Sequence, residues 1–296
     1  VLYACPITSF LEKLAEKFIK NIRQNYPQSA VVVSGCGFWR APRLAKGVTI
    51  KKAEQVKAFI KERPNIRRQL GACEQIKVGA VLVKNGCGNH CAYCVCPLVN
   101  KNDQCRPLDE ICEQLRDLRA RGIRLIELAG PCVGDWRSDG LDFAGLLEFI
   151  LKKFRFNIVN LELHPKDMHS RLIAVLAHPR ISPRISVPVQ SGSDCVLKRM
   201  NRKYDRAFLE KVLSELFAKK KRLILTTDII VGSPGETEDD FEETLKLLKK
   251  FPFTRVDVYV YSAKIGPIKN NPAARKMIRR LLRDESLKKI ANVTSQ

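Results

Sequence analysis

From about residue 78 onward, short apolar or β-branched runs alternate with amphipathic helical patterns, and this alternation constrains the fold more than any other feature of the sequence. Such alternation is typical of β-α units around a parallel sheet. Six units predict an α/β fold with a partial (β/α)6 barrel. The predicted strands are residues 78–84, 124–129, 158–163, 184–189, 223–231 and 255–261.

The predicted helices follow these strands at residues 107–121, 141–154, 166–177, 206–219, 237–250 and 273–289. Pro107 is predicted at the first helical position, where its missing N–H costs no hydrogen bond. The acidic residues 238–240 open the fifth helix, where the helix dipole favours negative charge. In barrels of this kind, catalytic groups gather in the loops after the carboxyl ends of the strands.

Residues 1–70 have a different pattern and predict a small α/β domain in front of the barrel, which would occupy residues 71–296. The predicted elements of the first domain are a basic amphipathic helix at 9–25, a strand at 30–33, a second helix at 53–61 and a polar, basic linker at 62–69.

Basic residues outnumber acidic ones, with 53 Lys and Arg against 31 Asp and Glu and a net charge of +22. This excess favours a polyanionic partner, because each neutralised phosphate releases counterions on binding. The sequence therefore favours a nucleic acid over a small neutral substrate. A solvated basic surface that serves solubility is the alternative.

The chain has 11 cysteines, an odd number without even spacing. Disulfide scaffolds occur mainly in small secreted domains, whereas this sequence has neither an export signal nor the roughly 20 consecutive apolar residues that span a bilayer. The cysteines therefore predict a metal or catalytic function in the reducing cytoplasm. We expect a monomer that is not bound to a membrane.

Three cysteines spaced C-x3-C-x2-C follow the first predicted barrel strand, namely Cys87, Cys91 and Cys94. A cubane cluster has four irons, so three thiolates would leave one iron open for chemistry, and the small residues between them let the loop fold closely. A zinc site with His90 as fourth ligand is one alternative, but His90 directly precedes Cys91 and is interpreted as part of the loop. A chance cluster of buried cysteines is the other.

With this loop, the sequence resembles the radical S-adenosylmethionine (SAM) superfamily, whose cysteine motif follows the first strand of a partial barrel. The resemblance implies a [4Fe-4S] cluster on the three thiolates and SAM chelated to the open iron through its amino and carboxylate groups. One electron from the cluster would cleave SAM to methionine and a 5'-deoxyadenosyl radical. Tyr93, directly before the last cysteine, is implied at the cofactor.

Further segments resemble the methylthiotransferase branch of that superfamily: residues 187–194 followed by 200–202, residues 228–237 and residues 126–130. Each is a strand end followed by small and polar residues, and the alternative for each is a turn that caps the next helix. The resemblance implies hydrogen bonds from Gln190 and Ser191 to the methionine part of SAM and a backbone approach to its adenine at residues 232–235. The implied cofactor-binding residues are Tyr93, Glu127, Gly130, Gln190, Ser191, Arg202 and Gly232.

That family carries a preceding α/β domain whose three cysteines bind a second cluster, and Cys5 and Cys36 resemble the second and third of them. The first would lie upstream of Val1, so we expect a longer natural protein with two [4Fe-4S] clusters. Buried small residues are the alternative interpretation of Cys5 and Cys36.

Other segments depart from the family pattern. Residues 262–267 stand where the family has an Arg-Gly-Thr-like segment, so different substrate contacts are expected there, and no C-terminal RNA-binding β-barrel is expected in this chain. The remaining cysteines are interpreted as packing residues, with a sulfur-carrying role left open for Cys96 and Cys132. They are Cys73, Cys96, Cys105, Cys112, Cys132 and Cys195.

The predicted function is methylthiolation of a modified adenosine beside the tRNA anticodon, with sulfur from the second cluster and a methyl group from another SAM. The net charge of +22 supports an RNA substrate. An aspartate on a small-subunit ribosomal protein is the alternative substrate. A non-catalytic RNA-binding or cluster-sensing relative is the alternative from another class. The sequence identifies neither the electron donor nor the sulfur source.

Overall fold

The computed structural model describes residues 78–99, 102–262 and 271–293, together with the short segments 2–3, 32–34 and 49–50 and the helical positions Lys20 and Gln24. The chain divides into two compact units. The first contains Val1–Ile76, Ser262–Lys269 and Ser295–Gln296, and the second contains Lys77–Tyr261 and Asn270–Thr294.

The second unit is built on two parallel sheets, whose strand orders are β10-β7-β4 and β11-β12-β13-β14-β15 when the strands are numbered along the chain. The described strands are β1 (Leu2–Tyr3), β2 (Val32–Ser34), β3 (Thr49–Ile50), β4 (Val78–Leu82), β5 (Lys84–Asn85), β6 (Gln104–Cys105), β7 (Leu125–Ala129), β8 (Arg137–Ser138), β9 (Leu141–Asp142), β10 (Asn157–Ile158), β11 (Leu161–Glu162), β12 (Arg184–Ser186), β13 (Ile224–Val231), β14 (Arg255–Val260) and β15 (Ala291–Val293).

Helices follow the parallel strands, as the β-α pattern predicted. The described helices are α1 (Cys96–Val99), α2 (Leu108–Ala120), α3 (Phe143–Lys153), α4 (Ser170–Leu176), α5 (Asp194–Arg199), α6 (Arg206–Lys219), α7 (Glu238–Lys250), α8 (Pro272–Arg283) and α9 (Glu285–Lys288). The acidic first turn predicted for the fifth helix is the start of α7, where Thr237 and Asp240 form a reciprocal capping box. None of the described helices has the length and apolarity that crossing a bilayer requires.

Alternate residues of the central strands face opposite sides. In β13, Leu225 and Ile229 are fully buried, whereas Thr226 and Asp228 are only half-buried. The buried set packs with apolar residues of α6 and α7 in one continuous core, so it faces the surrounding helices. The half-buried set therefore faces the inner surface of the barrel.

The strands differ from the sequence prediction in two places. Asn160 has a left-handed backbone (φ 55°), and it separates β10 from β11, so the predicted strand 158–163 is two short strands. A seventh strand position was missed: β15 pairs in parallel with β14. Its three residues are too few to show an alternating pattern.

Some helix boundaries also differ. The predicted helix 273–289 is divided at Asp284, whose side chain caps α9. The predicted helix 166–177 begins only at Ser170, after a 3-10 turn at Pro165–Asp167. Pro107 is the N-cap residue of α2, one position before the one predicted. The helix α5 lies in a segment for which no helix was predicted.

In the first unit, β1, β2 and β3 form a parallel sheet. The strand β2 overlaps the predicted strand 30–33, and the helical positions Lys20 and Gln24 fall within the predicted helix 9–25. The boundary at residue 70 stays a prediction. The predictions that lie outside the described residues are Cys5, Cys36, Cys73, the helix 53–61 and the linker 62–69.

Candidate active site

The cysteine loop, residues 86–95, follows β5 at the carboxyl end of the first barrel strand. Gly86 has φ 73°, and a Cβ there would overlap the backbone of a neighbouring segment, so this tight entry requires glycine. Cys91 is buried, whereas Cys87 and Cys94 are half-buried. The loop thus presents two partly accessible thiols beside an enclosed one.

A segment between α5 and α6 holds this loop. The Ala92 N–H donates to the Met200 carbonyl over 2.9 Å. The Asn201 side-chain amide donates to the carbonyls of Asn89 (3.4 Å) and His90 (3.1 Å), across 112 and 111 residues of sequence. Both segments belong to the predicted site, and the structure brings them together.

Arg202 connects the same two segments through its guanidinium group. It donates to the hydroxyl oxygens of Tyr204 (2.6 Å) and Tyr93 (3.1 Å) and to the Pro188 carbonyl (2.8 Å), and it lies 3.6 Å from Cys91 Sγ. Burial lowers the pKa of Arg202, but Tyr204, Tyr93 and Cys91 raise it further, so the group stays charged. Arg202 is only 8% exposed, so a permanent and buried positive charge lies beside Cys91.

Cys87 lies in a hydrogen-bonded chain on the other side of the loop. Asn89 Nδ2 donates to Sγ of Cys87 (3.3 Å) and to Sγ of Cys132 (2.9 Å), and Cys132 Sγ is also 3.2 Å from Asp167 Oδ2. The hydrogen bond from Cys132, with a contribution from Asn89, lowers the pKa of Cys87 to about 6 although burial acts in the opposite direction. The thiolate is the form of cysteine that binds metal.

Ion pairs extend this chain to the base of the loop. Lys166 lies 2.5 Å from Asp167 and 3.7 Å from Asp135. Lys84, only 3% exposed, lies 2.7 Å from Asp135 and 2.5 Å from Asp103. Burial lowers the pKa of Lys84, but hydrogen bonds to both aspartates raise it further. A buried lysine requires such partners, so the network fixes the loops around Cys87 to one another.

The three thiols of the cysteine loop all affect the pKa of one neighbour, Cys96. Burial and the nearby sulfurs of Cys94, Cys87 and Cys91 raise the pKa of Cys96 to about 12. His90, the alternative zinc ligand, has an exposed side chain. Among the residues that the structure describes, no three His, Cys, Asp or Glu side chains converge to hold a single metal ion. A cubane cluster makes a different demand, because each thiolate binds its own iron.

Gln190 and Ser191 are both buried in the segment that follows β12. Gln190 has φ 65° and is 7% exposed, and its side-chain oxygen has no hydrogen-bond partner within the described part of the chain. An unpaired buried oxygen is costly, so this atom is available to a donor from outside the protein. The Ser191 hydroxyl instead contacts Thr244 Oγ1 on α7 over 3.2 Å and accepts the Ser193 N–H over 3.2 Å.

The glycine loop, residues 232–236, follows β13. Several of its backbone groups form hydrogen bonds with side chains of the protein itself. The Glu236 carboxylate accepts the N–H groups of Gly232 (2.6 Å) and Ser233 (2.9 Å), while Asn271 Nδ2 donates to the Gly232 carbonyl over 2.8 Å. Gly232 has φ 74°, and a Cβ there would lie 2.5 Å from the Asn271 amide. The backbone approach at Gly232 is therefore made by α8. In the same loop, Ser233 Oγ is buried without a partner among the described residues.

Glu127 and Gly130 lie at the carboxyl end of β7. Glu127 accepts a hydrogen bond from Asn160 Nδ2 over 3.0 Å. Gly130 has φ 145°, and a Cβ there would overlap the Lys84 carbonyl. Glycine at this position therefore allows the backbone after β7 to approach that of β5.

Three carboxylates occupy inner-face positions of the barrel: Glu162 on β11, Asp228 on β13 and Asp257 on β14. Asp228 and Asp257 are directly opposite each other. Burial, with the charges of Glu162 and Asp257, raises the pKa of Asp228 to about 7. Burial by the barrel wall also raises the pKa of Glu162, although the Glu162 side chain reaches solvent. Near neutral pH, Asp228 can therefore either donate or accept a hydrogen bond.

Sequence reasoning did not select several residues of this arrangement. Asn89 lies between two motif cysteines and Tyr204 lies two positions after Arg202, so proximity to a motif was the available signal. The available signal for Asp228 was that it is an acidic residue inside an otherwise largely apolar strand. Cys132 had been interpreted as a packing residue with a sulfur-carrying role left open, and it lies beside Cys87.

A comparison with protein families matches residues 81–248, more than half of the chain, to the radical SAM superfamily. One relative, the threonylcarbamoyladenosine tRNA methylthiotransferase MtaB of Thermotoga maritima, is 31% identical over 93% of this chain and 68% of its own length. The chain belongs to the methylthiotransferase family of radical SAM enzymes. This assigns it to a family of transferases.

A second relative of this methylthiotransferase-family chain is the tRNA-2-methylthio-N(6)-dimethylallyladenosine synthase of Chloroflexus aurantiacus, 42% identical over 63% of this chain and 41% of its own length. The chain therefore spans well under half of that relative. A solved structure, the radical SAM methyltransferase TsrM of Kitasatospora setae, has a TM-score of 0.63 and 16% identity over 88% of this chain and 61% of that chain. This likeness concerns the fold, and it confirms the predicted α/β partial barrel.

The cofactors of this radical SAM family are a [4Fe-4S] cluster and SAM. The residues present fit both groups. Hydrogen bonds from Cys132 and Asn89 lower the pKa of Cys87 and so favour its thiolate, and Cys91 lies beside a fixed positive charge. The buried side-chain oxygens of Gln190 and Ser233 have no partner among the described residues, and they suit a ligand rich in hydrogen-bonding groups.

Proposed function

We propose that this chain is the radical SAM part of a tRNA methylthiotransferase that adds a methylthio group to a modified adenosine next to the anticodon. The observation that carries the proposal is the junction at the cysteine loop, where Arg202 lies 3.6 Å from Cys91 Sγ. Both relatives described above are named as enzymes that modify adenosines of tRNA. The net charge of +22 supports an RNA substrate.

In this proposal, Cys87, Cys91 and Cys94 hold the [4Fe-4S] cluster through their thiolates. Asn89 donates to Cys87 Sγ and favours its charged form. Arg202 orients the Cys91 side of the loop and adds positive charge next to sulfur. The two ends of the motif are thus supported by different neighbours.

When bound, the cluster and SAM supply one-electron chemistry that produces a hydrogen-abstracting carbon radical. The residues of the chain bind and orient these groups. Gln190 offers its unpaired side-chain oxygen to the amino group of SAM, and Ser233 offers its hydroxyl group to the adenosine part. The other predicted cofactor-binding residues, Tyr93, Glu127, Gly130, Ser191, Arg202 and Gly232, remain predictions.

Below the loops, the inner surface of the barrel suits a nucleobase. Asp228, with a pKa near 7, can donate to a ring nitrogen or accept from an exocyclic amine. Glu162 reaches solvent on the same surface and supplies a second acceptor. This surface would orient the adenosine while the loops above it hold the cofactors.

Sulfur insertion is proposed to depend on the first unit. Cys5 and Cys36 would bind the second [4Fe-4S] cluster together with a third cysteine upstream of Val1. SAM cleavage depends on the cysteine loop and would proceed without that unit, whereas methylthiolation would require it. The protein would act as a monomer in the cytoplasm.

The test is anaerobic reconstitution with iron and sulfide, followed by an iron count and an assay for 5'-deoxyadenosine after reduction. Cys87→Ala, Cys91→Ala and Cys94→Ala should each reduce 5'-deoxyadenosine to background, because each loses a cluster ligand. Cys195→Ala is the matched control, since Cys195 is exposed on α5 and should leave cleavage unchanged. Undiminished cleavage in any of the three motif variants would contradict the assignment.

The substrate is tested by supplying the full-length natural protein with two candidates. One is an anticodon stem-loop RNA that carries a modified adenosine, and the other is a ribosomal-protein peptide that contains an aspartate. Mass spectrometry should find the methylthio group on the RNA alone. A methylthio group on the peptide would identify the alternative substrate, and failure to cleave SAM would indicate a non-catalytic relative.

A further inference from the structure

The helix α8 carries two rows of basic residues that have different surroundings. Its apolar side, including Ala274, Met277 and Leu281, is buried against the barrel core. Lys276 and Arg280 form the first basic row. They pair with acidic residues of α7: Lys276 lies 3.1 Å from Glu238, while Arg280 contacts Glu238 over 3.6 Å and also pairs with Glu242.

The second row, here called the arginine row, consists of Arg275, Arg279 and Arg283. These residues are spaced four apart, so they repeat on one side of the helix about every 6 Å along its axis. All three side chains are exposed, and within the described part of the chain no carboxylate forms an ion pair with them. The arginine row is therefore a line of uncompensated positive charge on a rigid element.

The arginine row begins at the end of the barrel where the candidate active site lies. Asn271 caps the start of α8 and donates to the carbonyl of Gly232, directly after the carboxyl end of β13. The cysteine loop follows the carboxyl end of β4 in the same unit, and parallel strands bring these ends to one rim. The row therefore starts near that rim at Arg275 and runs away from it to Arg283.

We propose that the arginine row is the docking surface for the phosphate backbone of the RNA substrate, a proposal that rests on the function proposed above. Arginine presents a planar fork of donors that matches a phosphate, and evenly spaced guanidinium groups match a partner with one negative charge per nucleotide. The paired row on the same helix shows that α8 can be neutralised by neighbouring carboxylates. The arginine row lacks that neutralisation among the described residues, and the RNA supplies it.

The test compares two triple variants that remove the same number of arginines. The first is Arg275→Gln, Arg279→Gln and Arg283→Gln. The control is Arg116→Gln, Arg119→Gln and Arg124→Gln, which removes two exposed arginines of α2 and one exposed arginine directly before β7. These three also form no ion pair among the described residues. The probe is an unmodified anticodon stem-loop RNA, and its affinity for the full chain is measured by fluorescence anisotropy at several salt concentrations.

The first triple should lower the slope of log affinity against log salt by about 2, which is about 0.7 for each of three lost phosphate contacts. At 0.1 M salt this corresponds to an affinity on the order of 100-fold weaker. The control triple should change the slope by less than about 0.5. A further triple, with the three residues of the row replaced by Lys, should restore most of the slope because the charge is retained.

Equal losses in the first and control triples would overturn the docking surface, because binding would then depend only on total charge. An unchanged slope in the first triple would overturn it as well. Urea unfolding midpoints of the variants should match that of the wild type, which separates loss of contact from loss of folding. A wild-type chain that binds no RNA would overturn this proposal and the RNA substrate together, whereas SAM cleavage would still report on the radical assignment.

Discussion

The cysteine loop and the glycine loop lie at the carboxyl ends of barrel strands, and both combine glycines with polar residues, yet their polar groups are satisfied in different ways. In the glycine loop, Glu236 accepts two backbone N–H groups and Asn271 donates to a carbonyl, so most of the loop is closed by the protein itself. In the cysteine loop, Arg202 and Asn89 donate toward sulfur atoms. Hydrogen-bond donors aimed at thiols favour thiolates.

Similar sequence patterns at these two loops therefore have different physical causes. A strand followed by glycines fits a ligand site, but it also fits a turn that must pack closely against a helix. The second explanation applies to Gly232, because atoms at the start of α8 occupy the space that a side chain there would need. The thiols of the cysteine loop have no comparable structural explanation within the described residues, so the two loops should respond differently to substitution.

The largest effect is expected for Arg202→Met, which removes the charge and keeps apolar volume. The free energy of unfolding of the cluster-free protein should fall by about 4 kcal/mol, because several hydrogen bonds from a charged donor are lost and buried acceptors are left unpaired. Urea denaturation measures this change. Arg199→Met is the control: Arg199 is 42% exposed and forms one pair with Asp240, so its loss should be below about 0.5 kcal/mol.

The same Arg202→Met protein should also retain less iron after reconstitution than Arg199→Met, since the Cys91 side of the cysteine loop loses its support. A loss of stability below about 1 kcal/mol, with iron retained, would show that Arg202 is not central to this loop.

A smaller effect is expected from alanine in the glycine loop, where two glycines provide a matched pair. Gly232 and Gly235 have nearly the same backbone, with φ 74° and 75°. A Cβ at Gly232 would lie 2.7 Å from the Ala274 side chain, whereas at Gly235 the nearest atom is 3.7 Å away on Arg199. Gly235→Ala should therefore cost about 1 kcal/mol from backbone strain alone, and Gly232→Ala should cost about 2–3 kcal/mol.

Urea denaturation of both variants decides whether close packing on α8 explains Gly232. Equal costs would mean that packing contributes nothing there, and the glycine would then need another reason, such as the approach of a ligand. A larger cost at Gly235 would contradict the structural account of the whole loop.

The sequence predicted the barrel well because each strand carries enough apolar residues to show its pattern. The exceptions have local causes: the left-handed Asn160 divides one strand, and β15 is too short to be recognised. The three cysteines of the predicted cluster site were selected by their spacing and by the strand that precedes them. Their surroundings were not predictable, because Arg202 reaches Cys91 across 111 residues and depends on how α5 and α6 pack. For Gly232, the pattern indicated a close approach, but only the packed helix shows which atoms approach.

The smallest effect is expected for the ionisation of Glu236 in the glycine loop. Burial raises the pKa of Glu236 from 4.5 to about 7, although the N–H groups of Ser233 and Gly232 favour its charged form. Asp240 also raises this pKa and Arg199 lowers it. Because the folded state then binds a proton more tightly than the unfolded state, the contribution of Glu236 to stability is fully present below about pH 4.5 and is lost as the pH rises through about 7.

Glu236→Gln tests this directly, since glutamine keeps an acceptor for the two N–H groups and does not titrate. The unfolding free energy of the wild type minus that of the variant should fall between pH 5 and pH 8 by on the order of 1 kcal/mol, less than the full shift because the side chain is only partly buried. The difference between the two proteins isolates Glu236 from Asp228, which titrates in the same range. A difference that stays flat would show that Glu236 is ionised throughout, and closure of the glycine loop would then be independent of pH. A fall of the expected size would show that the Glu236 carboxylate, which accepts the backbone N–H groups of the glycine loop, is also desolvated by that loop.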